Sequence, residues 1–287
     1  MAAQQHLTPD LRQWVAAQLR AGVSREALYQ AMISSGWQAA LANQALLEHP
    51  VEAPSLALPA LASPSVIRQG ELPEPDLRDQ RSLLLPDGHR VQVLMTLERP
   101  RVVVFGGLLS EAECDAIVGH ARSRLARSET VAERREGSEV NQARTSEGMF
   151  FERGEFEVCA RVEARIAALL NWPLSHGEGL QVLRYRQGAE YQPHYDYFDT
   201  RHASTTAILQ RGGQRVGTLV MYLNTPTRGG GTVFPDVKLE VMAQKGNAVF
   251  FSYGRADPGS LTLHGGSPVL EGEKWVATKW LRQREFV

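Results

Sequence analysis

From residue 181 to residue 284 the chain is built of short apolar, β-branched and aromatic runs punctuated by glycine. Strand-like runs fall at 181–187, 216–224, 232–234, 246–253, 261–264 and 274–284, with glycine-rich turns between them. Many short strands with turn signals favour a sheet that closes on itself or stacks on a second sheet. Two helices come first. Ser110 and Glu113 have capping-box spacing ahead of a helix to about Leu125, and a second helix is expected from about Phe156 to Leu170. Val91–Leu97 and Arg101–Phe105 read as strands with Pro100 at the turn between them. The expected fold is mainly β (α+β), a double-stranded β-helix or jelly roll over residues 80–287, with supporting helices on one face.

The preceding residues read differently. Residues 1–48 have the pattern of three short helices: Thr8 and Pro9 open the first, Ser24 caps the second, and Ser34-Ser35-Gly36 breaks before a third containing Trp37. Leu11, Trp14, Val15, Leu19, Leu28, Met32, Leu41, Leu46 and Leu47 recur at roughly helical spacing. By helix lengths and the Gly-Trp turn, the segment resembles a ubiquitin-associated-type three-helix module, a candidate protein-binding element. Residues 49–79 read as a tether. Pro50, Pro54, Pro59, Pro64, Pro73 and Pro75 fall there, and a stretch of this kind spans up to roughly 80 Å if fully extended.

Composition excludes several partners. The formal net charge is −1, which gives no reason to expect nucleic acid, and no apolar run approaches the roughly 20 residues of a bilayer span. The start, MAAQQHLTPDLRQW, has neither a basic leader nor an apolar signal core, and Cys114 and Cys159 are too few for a disulfide framework. Both point to a cytoplasmic protein with reduced thiols.

The chemistry lies in His194, Asp196 and His264. His194 and Asp196 are one residue apart, so an extended backbone turns both side chains to one face. His264 sits on a later apolar run, SLTLHGG, where a solvent-facing polar residue is unexpected. Two imidazoles and one carboxylate leave about three of six octahedral positions open, the pattern of a non-haem iron(II) site rather than a closed zinc site. His202 near Asp199 is the only competing pair. Lys274 adds a fixed cation that a metal alone does not need. A keto acid that chelates the metal at one end and carries a carboxylate at the other does need it, because an unpaired buried charge costs about 3–5 kcal/mol.

These segments carry a family resemblance. LQVLRYRQGAEYQPHYDYF (180–198), GGQRVGTLVMYLN (212–224), GGGTVFP (229–235), KGNAVFF (245–251) and LHGGSPVLEGEKWVATKW (263–280) resemble the iron(II)/2-oxoglutarate-dependent prolyl 4-hydroxylases of the collagen and algal type. The ten-residue interval from His264 to Lys274, with lysine rather than arginine, is similar to that branch. The resemblance implies an enzyme using Fe(II), 2-oxoglutarate and O2, with ascorbate as reductant, that hydroxylates a peptidyl proline at C4. It implies His194, Asp196 and His264 as metal ligands and Lys274, Tyr185 and Thr218 as 2-oxoglutarate contacts. It implies Arg144, Ser146, Glu178, Tyr191 and Trp280 along the peptide groove. By its own residues, including Ala203-Ser-Thr-Thr206 and Gly212-Gly213, the stretch 198–215 reads as a flexible loop that could close over substrate. The secreted members' leader and disulfide framework have no counterpart here. Two other readings stay open from sequence: the same chemistry on a free amino acid or another side chain, and a metal-binding scaffold whose helical module is the functional part.

Overall fold

Four consecutive residues show how the main domain is layered. In the computed structural model Val103 and Phe105 enter one apolar core while Val102 and Val104 enter another. A strand buried on both faces is the interior layer of a three-layer structure. The description covers residues 15–16, 19, 28–29, 32–33, 37–47, 72–78, 80–127, 130–131, 138–139, 145–201 and 205–287.

The chain divides into two compact units, Met1–Leu61 and Ala62–Val287. In the first, α1 (Ala39–Leu47) is helical throughout, and helical turns also occur at 15–16, 19, 28–29 and 32–33. Val15, Leu28, Met32, Ala42, Ala45 and Leu46 form its core, with Leu19 and Trp37 packed against it. The caps expected at Thr8, Pro9 and Ser24 lie outside the described residues, as does the stretch 48–71.

In the second unit the strands in chain order are β1 (Ser82–Leu84), β2 (Arg90–Leu97), β3 (Arg101–Gly106), β4 (Ala126–Arg127), β5 (Thr130–Val131), β6 (Ser138–Glu139), β7 (Glu147–Phe151) and β8 (Leu180–Tyr185). They continue as β9 (Tyr191–His194), β10 (Arg215–Tyr222), β11 (Arg228–Gly229), β12 (Thr232–Phe234), β13 (Leu239–Val241), β14 (Ala248–Ser252), β15 (His264–Gly266), β16 (Val269–Glu271) and β17 (Lys274–Arg282). The helices are α2 (Glu111–Arg122), α3 (Glu157–Leu169) and α4 (Thr205–Gln210). The large sheet has the order β1-β2-β3-β14-β10-β17-β8-β7-β4, and the small sheet β13-β12-β15-β9 faces it. Strand β17 is buried at every position, which fits its place in the middle of the large sheet.

Each face of the large sheet has its own cover. Cys114, Ile117 and Ala121 of α2 and Cys159, Val162 and Ile166 of α3 close one side. Phe234 and Val241 of the small sheet close the other, against Val220, Tyr222, Val249, Phe251 and Val276. This is the expected jelly roll with helices on one face. The capping box at Ser110 is present, with Glu113 N–H donating to Ser110 Oγ at 3.2 Å and Ser110 N–H to Glu113 Oε2 at 2.9 Å. The run expected at 261–264 starts later. Asp257 caps a tight turn by accepting from Gly259 N–H at 2.8 Å, Leu261 takes a left-handed φ of 57°, and the strand begins only at His264.

The domain also begins earlier than the tether boundary at residue 79. Glu74 N–H donates to Leu170 O at 2.9 Å, and the Arg101 guanidinium donates from Nε to Glu74 Oε1 at 2.9 Å. Pro73 lies against Gly217, where a Cβ would come within 2.8 Å of its ring. Residues 72–78 are therefore a strap on the sheet rather than free linker. Both cysteines are buried and unpaired, and burial pushes each thiol up to about 11, so neither offers a thiolate near neutral pH.

A buried ion pair ties α3 to β17. Lys279 Nζ donates to Glu163 and to the Glu178 carbonyl, and Glu163 also accepts from Gly154 N–H at 2.7 Å. Removing one member strands a buried charge. Glu163→Ala is expected to lower the unfolding free energy by about 3–5 kcal/mol, read from urea denaturation. A change below about 1 kcal/mol would mean that Lys279 has another way to be solvated.

Candidate active site

Between the two sheets lies an open cleft. On the large sheet it is lined by Gln181, Leu183 and Tyr185 of β8, Val220 of β10, and Lys274, Val276, Thr278 and Trp280 of β17. The alternation of β8 and β17 puts every second residue into it. On the small sheet it is lined by Tyr191, His194, Thr232, His264, Gly265 and Gly266, with Asp196 just past the end of β9.

Strand pairing builds the metal triad. His194 of β9 and His264 of β15 are direct partners in the antiparallel register. One ligand atom from each of His194, Asp196 and His264 lies within 4.8 Å of the others. His194 Nε2 is 3.5 Å from Asp196 Oδ1, and His264 Nε2 is 3.4 Å from Asp196 Oδ2. Each imidazole places Nδ1 at 3.0 Å from the carbonyl two residues earlier, Gln192 for His194 and Thr262 for His264. Donation from Nδ1–H to a carbonyl leaves Nε2 unprotonated and aimed at the centre. Burial pushes His264 down to about 4, against the pull of Asp196, so its ring is neutral at working pH. For Asp196 burial alone would raise the pKa. The neighbouring His264 and His194, with Arg215 beyond, outweigh it and hold the carboxyl far below the usual range. Two imidazoles and a carboxylate converging in a cleft suit iron(II) with positions left for other ligands.

Gly265 lets the small sheet close up here. A Cβ on it would come within 2.8 Å of Tyr191 O and 3.1 Å of Pro193 N, so a larger residue would push β9 and His194 away. Tyr191 stacks on His194 with ring centroids 3.7 Å apart.

Lys274 enters the same cavity from the first position of β17, opposite Tyr185. It is 4% exposed, and its Nζ is 3.4 Å from Gly231 O. Burial pushes the ammonium down to about 8, opposed by the charge of Glu240. The Tyr185 ring centroid is 5.4 Å from Nζ. A buried cation at the end of a cleft whose other end holds metal ligands suits a ligand that is an anion at one end and a chelator at the other.

Two expected contacts are placed differently. Thr218 is not a lining residue of the cavity. Its hydroxyl donates to Asp196 Oδ2 at 2.8 Å and lies 2.9 Å from Tyr253 OH. A hydroxyl has one proton to give, so Tyr253 donates to Thr218 and Thr218 to Asp196. Thr218 therefore braces Asp196. Glu178 is likewise not a groove residue. Arg215 donates to both its oxygens, at 2.7 and 2.9 Å, and Arg282 donates at 3.0 Å. With its oxygens held by two guanidiniums, the carboxylate serves a buried ion triad behind Asp196. Trp280 does line the cavity, with Arg215 Cζ 3.8 Å from its ring centroid and its Nε1–H without a partner among the described residues. Ser146 is buried ahead of β7 and does not line the cavity, and Arg144 lies outside the described residues.

Parts of the stretch 198–215 carry regular structure. Among its described residues α4 is helical, and the Gln214 amide bridges the Phe198 backbone by accepting from N–H and donating to C=O, each at 2.8 Å. His202 lies outside the described residues. Gln181, Thr232, Thr278 and Tyr253 are the polar site residues that sequence reasoning passed over. Only strand parity relative to Lys274 and Tyr185 could have pointed to the first and third.

Residues 180–282 match the sequence pattern of the 2OG-Fe(II) oxygenase superfamily. Probable prolyl 4-hydroxylase 6 of Arabidopsis thaliana is 40% identical over 210 residues, covering 65% of this chain and 70% of that protein. Prolyl 4-hydroxylase 2 of the same plant is 36% identical over 219 residues, covering 68% and 71%. The chain belongs to the prolyl 4-hydroxylase family. Among solved structures, the viral collagen prolyl hydroxylase of Paramecium bursaria Chlorella virus-1 in its 2OG complex superposes with a TM-score of 0.49 at 31% identity, over 63% of this chain and 95% of that one. Members of this family are 2-oxoglutarate-dependent dioxygenases, and His194, Asp196 and His264 form a metal site of the kind that such an enzyme needs.

The brace on Asp196 makes a testable claim. Thr218→Val keeps the shape and removes the hydroxyl, and it is expected to weaken divalent-metal binding by about 10–100-fold, read with Co(II) absorbance. Unchanged metal affinity with a raised KM for 2-oxoglutarate would return Thr218 to a cosubstrate contact.

Proposed function

We propose that this chain hydroxylates a prolyl residue of a peptide or protein at C4, converting 2-oxoglutarate and O2 to succinate and CO2, in a reducing compartment such as the cytoplasm. The observation that carries the reading is the pairing of the triad with Lys274 in one cavity: a metal site alone leaves a buried ammonium without purpose. The bound metal and 2-oxoglutarate together activate O2 and supply the oxygen atom inserted into the substrate C–H bond. His194 and His264 offer their Nε2 atoms, and Asp196, braced by Thr218, offers a carboxylate oxygen held in one orientation. Lys274 neutralises the far carboxylate and fixes how deep the keto acid sits. Leu183, Val220 and Val276 make the intervening wall apolar, which keeps water from competing for the open positions.

A peptide would enter beside Tyr191 and Trp280. Trp280 lines the cleft there, and an aromatic ring suits contact with the proline ring of an extended peptide. The free, buried thiols Cys114 and Cys159 suit a reducing compartment, where ascorbate could serve as reductant.

The direct test adds Fe(II) and 2-oxoglutarate without oxygen, looks for the visible charge-transfer band, and then measures peptide-stimulated succinate release in air. The band is expected in the wild type and lost in His264→Ala; a band untouched by that substitution would remove the metal assignment. Peptides that never stimulate turnover would remove the prolyl assignment. A pH series checks Lys274. Burial lowers its pKa to about 8, so the cation is present below that pH and lost above it. The Kd for 2-oxoglutarate is expected to rise about tenfold from pH 7 to pH 9, and Lys274→Arg should flatten that rise. A flat wild-type profile would show that the ammonium is not what holds the anion. Trp280→Ala should raise the peptide KM by about tenfold, the loss of one aromatic contact, with the KM for 2-oxoglutarate unchanged.

A further inference from the structure

We propose that Tyr253, Tyr197 and Tyr195 form an oxidation relay that drains the site when 2-oxoglutarate is consumed without a peptide, ending in a dityrosine cross-link between Tyr195 and Tyr197. The inference rests on the activity proposed above. Enzymes that generate strong oxidants must dispose of them when no substrate is present.

The relay starts at the metal ligands. Tyr253 is buried, and its hydroxyl is two hydrogen bonds from Asp196, through Thr218, at 2.9 and 2.8 Å. The Tyr253 ring meets that of Tyr197 edge-on at 6.4 Å between centroids. Tyr197 stacks on Tyr195 at 4.8 Å with the planes 28° apart. Both separations lie within the ordinary range of directly packed aromatic pairs. Tyr195 and Tyr197 are half-buried, so the row leads from the interior toward solvent.

Local charge distinguishes Tyr195 and Tyr197 from Trp280, Tyr185 and Tyr222. Trp280 carries Arg215 at 3.8 Å over its ring, and Lys274 stands 5.4 Å from the Tyr185 centroid and 5.9 Å from that of Tyr222. A cation over a ring makes removal of an electron harder. Tyr195 instead feels the carboxylates of Asp236 and Asp257, and Tyr197 those of Asp257 and Asp199, the latter partly offset by Arg201. Negative charge favours loss of an electron from a ring, and a carboxylate can take the phenol proton that leaves with it.

The step balances. One 2-oxoglutarate and one O2 give succinate and CO2 and leave one oxygen atom unused. Tyr195 and Tyr197 each give up one electron, passed inward through Tyr253, and one proton, passed through the nearby carboxylates to solvent. Two electrons and two solvent protons reduce the oxygen atom to water. The two oxidised phenols join through their ortho carbons, and the protein loses two hydrogen atoms.

The test uses the full chain with Fe(II), 2-oxoglutarate and air, with no peptide, beside a Zn(II)-loaded control. A single tryptic peptide, residues 187–201, contains Tyr191, Tyr195 and Tyr197. Succinate release is expected together with loss of two hydrogens from that peptide, missing fragment ions between Tyr195 and Tyr197, and dityrosine fluorescence. Zn(II) should abolish all of these. Tyr195→Phe should abolish the cross-link while substrate-free succinate release continues, since Tyr195 belongs to neither the metal nor the cosubstrate site. Succinate release with an added oxygen on Tyr191 or Trp280 and no cross-link would overturn the relay, as would an equal cross-link with Zn(II). Absence of succinate under all conditions, with or without peptide, would instead overturn the activity on which the relay rests.

Discussion

The antiparallel pairing of β9 with β15 is the constraint on which the site depends. It sets His194 opposite His264, and no local property of either segment could do so, because the two residues are 70 positions apart. The pairing is tight because Gly265 lets the Tyr191–Pro193 backbone approach, and both rings are then fixed by their own Nδ1 contacts to backbone carbonyls. A slip of one residue would turn a histidine out of the cavity. The metal triad is thus a consequence of sheet register, with Asp196 brought in by the bend at the end of β9.

The large sheet supplies the second half of the arrangement. Strand β17 carries Lys274, Val276, Thr278 and Trp280 on its cavity face and Trp275, Ala277 and Leu281 in the core beneath the helices. One strand therefore spans from the cation that suits a dicarboxylate to the aromatic residue that suits a peptide. Its back face is held by Lys279, whose ammonium bridges Glu163 of α3 and the Glu178 carbonyl. The Glu178 side chain in turn holds Arg215 and Arg282. Buried ion pairs of this kind contribute less to net stability than to fixing one arrangement, since each charge is costly to leave alone.

Polar support behind the ligands is as extensive as the ligand set. The line Tyr253, Thr218, Asp196 and the contact of Arg215 Nη1 with the Asp196 carbonyl at 3.5 Å fix a carboxylate that burial would otherwise neutralise. These contacts aim Asp196 before any metal arrives, so little reorganisation is needed on binding. The same buried line gives the surrounding tyrosines a defined relation to the metal site.

The sequence by itself carried the local and the periodic. The capping box at Ser110 and Glu113, the two helices, most long strands, and the one-residue spacing of His194 and Asp196 are all legible because they depend on neighbours along the chain. Lys274 was legible as a cation that needed a buried anion, and Tyr185 by its place among the family motifs. What tertiary structure decided were choices between partners. Thr218 and Glu178 have the right chemistry to touch a ligand, but register delivers Thr218 to Asp196 and strand ends deliver Glu178 to Arg215 and Arg282. Residues 72–78, proline-containing and without a periodic pattern, read as tether, yet Pro73 and Glu74 seat on Gly217, Leu170 and Arg101. A hydroxyl, a carboxylate or a proline states what it can bind; which group stands within 3 Å of it is set only when distant strands come together.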